Sequence, residues 1–214
     1  MIMRYRLCGP ISAVLLAMTT SAAMAQTAPP TLQAVAPSGA QRGTRATLVL
    51  KGTNIDKPSD ILFSEPGFST KITAVREIPE KPGPRKPVGT AAPIDDKARK
   101  YEVTADVTIA PDVPHGVHAF RLITPLGVSN LLRFAVSSLP EVTEGASTGP
   151  AAPTVVLPAA IVGKLGKPGE VDEYGFDARA GEELVFQVVA RPLGSRLDSV
   201  VRLLDRERHL IAEN

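Results

Sequence analysis

Residues Tyr101–Ile109 read YEVTADVTI, with Val103, Ala105, Val107 and Ile109 at every second position and polar residues mostly between them. That period places the four apolar side chains on one face of a strand, whereas a helix would scatter them around its axis. The same alternation recurs on both sides. Leu48 and Leu50 share a face within Ala46–Lys51, and Gly52-Thr53-Asn54 closes that strand. Ile72 and Ala74 alternate with Thr73 and Val75 in Thr70–Arg76, and Asp60–Phe63 is a short strand before it. Gly116–Ile123 alternates again, Leu131–Val136 ends the series, and Leu32–Pro37 opens it. Short strands at this density, separated by turn residues, predict a β-sandwich over residues 31–137.

A second run of short apolar segments occupies residues 157–214. Ile161-Val162 precedes a Gly-Lys-Pro-Gly turn at Gly166–Gly169. Tyr174 and Phe176 share a strand face, Ala180-Gly181 turns the chain, and Leu184, Phe186 and Val188 share a face again. Val201, Leu203 and Leu204 lead to a tip centred on Asp205, and His209–Ala212 begins another strand. No window keeps a helical period over three turns, so this region is expected to be an antiparallel β unit. Only about five strands of ordinary length fit there. A sandwich needs two facing sheets, so the expectation is a second, incomplete, jelly-roll-like sandwich.

Two breaks punctuate the text. Residues 79–100 hold Pro79, Pro82, Pro84, Pro87 and Pro93 among basic residues. Proline removes ladder donors, so this is expected to be an insertion in the first sandwich rather than a central strand. Residues 138–156 are dominated by Ser, Thr, Gly, Pro and Ala and are expected to be a linker.

The first unit carries Pro37-Ser38, Arg42-Gly43-Thr44, Leu48-x-Leu50 and Gly52-x-Asn54 at its start. At its end stand His115-Gly116-x-His118-x-Phe120-Arg121-Leu122, Thr124-Pro125-x-Gly127-x-Ser129-Asn130 and Phe134-x-Val136. Together these resemble the immunoglobulin-like IPT/TIG domain, the 79–100 segment being the departure. The second unit carries Glu170–Phe176 (EVDEYGF), Ala180-Gly181, Leu184–Ala190 (LVFQVVA), Leu197-Asp198 and Leu203–Ala212. These resemble roughly the first half of the bacterial pre-peptidase C-terminal domain, with Glu173 at the usual second Asp and DRERH at Asp205–His209 replacing the hairpin glycine. The resemblances imply an immunoglobulin-like sandwich followed by a partial second module. They also imply a non-catalytic role in binding, spacing or targeting beside secreted enzymes.

The N-terminus has the form of an export signal. Arg4 and Arg6 precede the apolar run Ile11–Met18, and Ala23-Met24-Ala25 fits small-x-small cleavage, so residues 1–25 are expected to be removed and the mature chain to start at Gln26. The run is too short to span a bilayer in the mature chain. The expected address is the periplasm or the extracellular space. The whole chain has 24 Lys+Arg against 22 Asp+Glu. Loss of Arg4 and Arg6 leaves the mature chain formally neutral, without a field that would favour nucleic acid or an anionic membrane. Cys8, the only cysteine, leaves with the signal, which removes thiolate chemistry and disulfides. Aromatic residues make up 4% and Trp is absent, so stacking platforms for sugars or bases are scarce.

Candidate chemistry is thin. Asp172, Asp177, Asp198 and Asp205, with Glu173, are candidate oxygen ligands for calcium if strand ends bring them together. The competing reading, that each caps a local turn, weighs more. His115 and His118 are three apart at a strand start, on opposite faces, which opposes a shared metal site and leaves solvent-facing or turn histidines as the expectation. His209 lies in a hairpin without an HExxH partner, and neither GxGxxG nor GxxxxGK[ST] occurs. The basic residues Lys81, Arg85, Lys86, Lys97, Arg99 and Lys100 are read as a solvated loop ahead of a polyanion contact. The resulting expectation is an exported accessory module of a larger secreted or cell-envelope protein. Its partner would be an extracellular polysaccharide or protein. A ligand-free spacer and a fragment of a secreted hydrolase or peptidase are the alternatives.

Overall fold

The computed structural model describes residues 28–79, 99–144 and 152–214. The signal segment 1–25, residues 80–98 of the expected insertion and residues 145–151 of the expected linker lie outside the described residues.

Nine strands build the first unit: β1 (Thr31–Ala36), β2 (Gly39–Gln41), β3 (Arg45–Thr53), β4 (Asp60–Phe63), β5 (Phe68–Glu77), β6 (Lys100–Ile109), β7 (Gly116–Thr124), β8 (Gly127–Val128) and β9 (Leu132–Ser137). One sheet has the order β1-β3-β6-β5, and the other β2-β9-β7-β4 with β8 on β7. This is the ABED and CFG arrangement of an immunoglobulin-like sandwich, its first strand divided between the two sheets. The division falls at Pro37-Ser38. β1 runs antiparallel to β3, and β2 then runs parallel to β9. Two glycines permit the close approaches this requires. A Cβ at Gly52 would stand 2.2 Å from the Thr31 carbonyl oxygen, and one at Gly39 would stand 2.8 Å from that of Ala135.

The alternation read from the sequence builds the core. Leu48, Leu50, Val103, Ala105, Val107 and Ile109 are buried from one sheet, and Ile61, Phe120, Leu122, Phe134 and Val136 from the other. Each larger side chain contributes about 1.5–3 kcal/mol through burial, so this layer accounts for the cohesion of residues 31–137. The outward face of the first sheet is a charge ladder. Glu102 on β6 lies between Lys51 on β3 (3.3 Å) and Arg76 on β5 (2.9 Å), and Asp106 between Arg45 and Lys71.

The second region departs from the expected pattern. β10 (Glu141–Thr143) runs parallel to β11 (Ala160–Val162), and β12 (Arg202–Leu204) pairs antiparallel with β13 (Leu210–Glu213) around the Asp205 tip. A 3-10 turn occupies Arg191–Leu193. The strands expected at Tyr174–Phe176 and Leu184–Val188 do not form. Gly175 makes a single bridge to Thr154, and the second run enters no sheet among the described residues. Alternation makes one face of a segment apolar, but a strand also needs a neighbour to complete its backbone hydrogen bonds. Phe176 and Phe186 meet with ring centroids 5.4 Å apart, while Val171 is 77% and Val185 86% exposed.

Candidate functional site

Among the described residues β4 and β5 are the terminal strands of their respective sheets. They lie at the same side of the sandwich and are joined by the turn Ser64-Glu65-Pro66-Gly67. Two contacts draw the corner together. The Phe63 and Phe68 rings stack with centroids 3.9 Å apart and planes 6° from parallel, and the Thr70 hydroxyl donates to the Asp60 carboxylate. Phe63 is anchored from behind by Phe120 at 5.4 Å and Phe134 at 6.1 Å. Along this corner runs an open cleft of about 510 Å³ lined by residues 60–66 and 68–70. Its polar groups are the Asp60 and Glu65 carboxylates and the Ser64, Ser69 and Thr70 hydroxyls, and among the described residues no basic one lines it.

The register shows what the cleft offers. The Ser64 N–H donates to the Ala119 carbonyl at 2.8 Å, so in the alternating antiparallel ladder Asp60, Leu62 and Ser64 bond to β7 while Ile61 and Phe63 turn their backbone groups outward. The Asp60 carboxylate takes the Ile61 N–H at 2.8 Å, leaving the Ile61 carbonyl and both Phe63 groups facing the open side. On β5 the Ala110 N–H donates to the Gly67 carbonyl at 2.8 Å. Phe68 and Thr70 are therefore the residues whose backbone faces away from β6. The sequence marks β4 and β5 as strands. That their free edges share one corner is a property of topology, and no local signal carries it.

The acids named from the sequence do not converge. Asp198 is bonded to Arg191 at 3.4 Å. Asp205 organises its own hairpin, accepting the His209 N–H at 2.7 Å and lying 3.0 Å from His209 Nδ1. Glu173 receives Arg208 through two bonds of 3.2 and 2.6 Å. Asp172 lies near Glu144 and Glu170 instead, and its carboxyl is raised by shielding from water and then by those two charges. Among the described residues no hydrogen bond or ion pair joins Asp177 to any of them. Among the described residues no group of three acids, histidines or cysteines is placed to hold a metal ion.

His118 corrects the expectation of a solvent-facing or turn histidine. It is buried, donates from Nε2 to the Pro114 carbonyl at 2.8 Å, and meets Phe68 edge-on at 5.4 Å. The signal was present, since residues 118, 120 and 122 share the inward face of β7. His115 is exposed before that strand. One pattern relevant to catalysis also stands in the sequence. Gly145-Ala146-Ser147-Thr148-Gly149 spells G-x-S-x-G, which in hydrolases sits on a strand-to-helix turn. It falls outside the described residues, and the flanking elements β10 and β11 are both strands.

No family model matches the chain. No curated protein matches it either. Among solved structures it is similar to the SGBP-B protein of the Bacteroides ovatus mixed-linkage glucan utilization locus, in complex with a mixed-linkage heptasaccharide, with 18% identity and a TM-score of 0.31. The match covers 62% of this chain and 26% of that one, so this chain corresponds to about a quarter of its length. A likeness of that size gives no grounds for transferring a ligand. Among the described residues no helix is long and apolar enough to cross a membrane.

Proposed function

We propose that this chain is an exported, non-catalytic binding module of a larger secreted or cell-envelope protein, with an extracellular polysaccharide or protein as its partner. The observation that carries the reading is the corner of the immunoglobulin-like sandwich where, among the described residues, an open cleft is lined by hydroxyls, carboxylates and the outer edges of β4 and β5. Its resemblance to IPT/TIG and pre-peptidase C-terminal modules, and the signal-like residues 1–25, support the same role and address.

The test has two parts. The chain is expressed with its native N-terminus in a Gram-negative host, where the exported product is expected to begin at Gln26 by mass spectrometry. That product is then applied to a glycan array and to immobilised extracellular matrix and envelope proteins. Saturable binding without turnover of the bound partner supports the proposal. Silence on both surfaces favours a spacer, and hydrolysis abolished by Ser147→Ala overturns the non-catalytic reading.

A further inference from the structure

We infer that the β4–β5 corner recognises an extended, basic peptide segment, which docks as an added strand along β4. This rests on the binding-module reading and names the ligand class of its site. Three observations converge. First, among the described residues β4 ends its sheet and turns the Phe63 N–H and C=O and the Ile61 C=O away from β7, so an incoming chain finds backbone partners at alternate residues. Second, the space beside that edge is a cleft of about 510 Å³ whose lining includes exposed Leu62 and half-buried Phe68, which gives side chains of an added strand an apolar seat. Third, among the described residues the lining holds two carboxylates and no cation, so charge complementarity selects Lys or Arg at positions flanking the apolar ones.

The chemistry argues against a sugar in the same place. Glycan sites use an exposed aromatic face as a platform, whereas here the face of Phe63 is turned onto Phe68 and the residue is 8% exposed. The two edges of the first sheet are less open to an incoming strand. β5 is interrupted by an irregularity at Ile72/Ala74 and flanked by Lys71 and Arg76, features that disfavour strand addition. The Leu32 backbone on β1 is taken by Asn130. On β4 only the Ile61 N–H is taken, by the Asp60 carboxylate, its ladder is regular, and the Ser64–Gly67 turn bounds the register at one end.

The probe is the capped heptapeptide acetyl-KVTVKVT-amide, titrated into the 15N-labelled full chain and followed by amide shifts. Shifts centred on Ile61, Phe63, Phe68 and Thr70 are expected, with a Kd of about 10 μM to 1 mM for so short an edge. The same peptide N-methylated at alternate residues loses its backbone donors and is expected to bind at least about tenfold more weakly. Glu65→Gln, in an exposed turn, and Asp60→Asn are expected to weaken the basic peptide together by about fivefold at low salt, with little change at high salt. Shifts scattered over the surface, equal binding of the N-methylated peptide, or tighter binding of acetyl-EVTVEVT-amide would overturn the inference. If the array or the immobilised proteins capture the chain while shifts map elsewhere, the binding module stands and this corner is not its site. If the peptide binds at the corner, an empty glycan array leaves both readings intact.

Discussion

The side-chain amide of Asn130 holds both backbone groups of Leu32, accepting its N–H at 2.6 Å and donating to its carbonyl at 3.0 Å across 98 residues of sequence. Asn130 stands between β8 and β9, whereas Leu32 is on β1 at the edge of the opposite sheet. The amide therefore acts as a substitute strand neighbour, covering an edge and tying the two sheets at once. Neighbouring Ser129 is buried and accepts the Leu122 N–H at 2.9 Å while donating to the Asn130 carbonyl at 2.8 Å, which fixes the turn that aims the amide. Asn130→Ala is expected to cost about 1–3 kcal/mol, since two partly buried backbone groups lose their partner. Asn130→Asp keeps the acceptor only and should fall between. Urea midpoints of the three proteins check the order.

The charge ladder on the first sheet should give a pH-dependent stability. The Glu102 carboxyl is held below its ordinary value by hydrogen bonds from Arg76 and then Lys51. That of Asp106 is lowered by the Thr47 hydroxyl and then by Arg45. A carboxylate with a depressed folded value stabilises the fold above its unfolded value, and that contribution is lost as pH falls through the folded one. Glu102→Gln is thus expected to lower the midpoint of thermal unfolding at neutral pH and to make no difference in strong acid. The neutral-pH gap should shrink in high salt because these groups are solvated. A gap that survives both acid and salt would assign the effect to packing.

Much of the first sandwich is legible in the sequence because its strands are buried on one face and solvated on the other. Val103, Ala105, Val107 and Ile109 alternate in the text and are all buried in the fold. β2 and β8 escape such reading, being three and two residues long, too short to show a period. Their existence depends on β9 and β7. The corner cleft is illegible for a related reason, since which edge stays open follows from strand order. Leu184–Val188 fails in the opposite sense. Its alternation is as good as that of β7, but alternation states a preference for a face and supplies no neighbour.

Glu141 offers a titration of opposite sign. It opens β10, is half-buried, and its carboxyl is raised by removal from water. The folded protein therefore binds this proton more tightly than the unfolded one. Stability is fullest below the unfolded value and declines as pH rises through the window up to the folded one. Glu141→Gln removes that decline and is expected to stabilise β10–β11 at neutral pH, with no gain in acid. Amide exchange at Val142 and Ile161 across the parallel pair, compared at neutral and acid pH, checks both the sign and the location.

The last prediction concerns Leu184–Ala190, LVFQVVA. It has no charge, proline or glycine, and four of its residues are β-branched or aromatic apolar groups left exposed: Val185, Phe186, Val188 and Val189. A segment of that composition with unpaired backbone is an association hazard. It should therefore exchange its amides fast while β3, β6 and β7 protect theirs, and the slowest exchange should be confined to residues 31–137. Val185→Lys places a charge in the middle of the run at a position 86% exposed. It is expected to change unfolding free energy by less than about 0.5 kcal/mol, as surface substitutions do, while sharply reducing light scattering at high concentration. Loss of folded stability comparable to a core substitution would show that Val185 is buried in solution. Strong cooperative protection across 184–190 in a monomer would show that these residues have a neighbour there, and either result would remove the hazard.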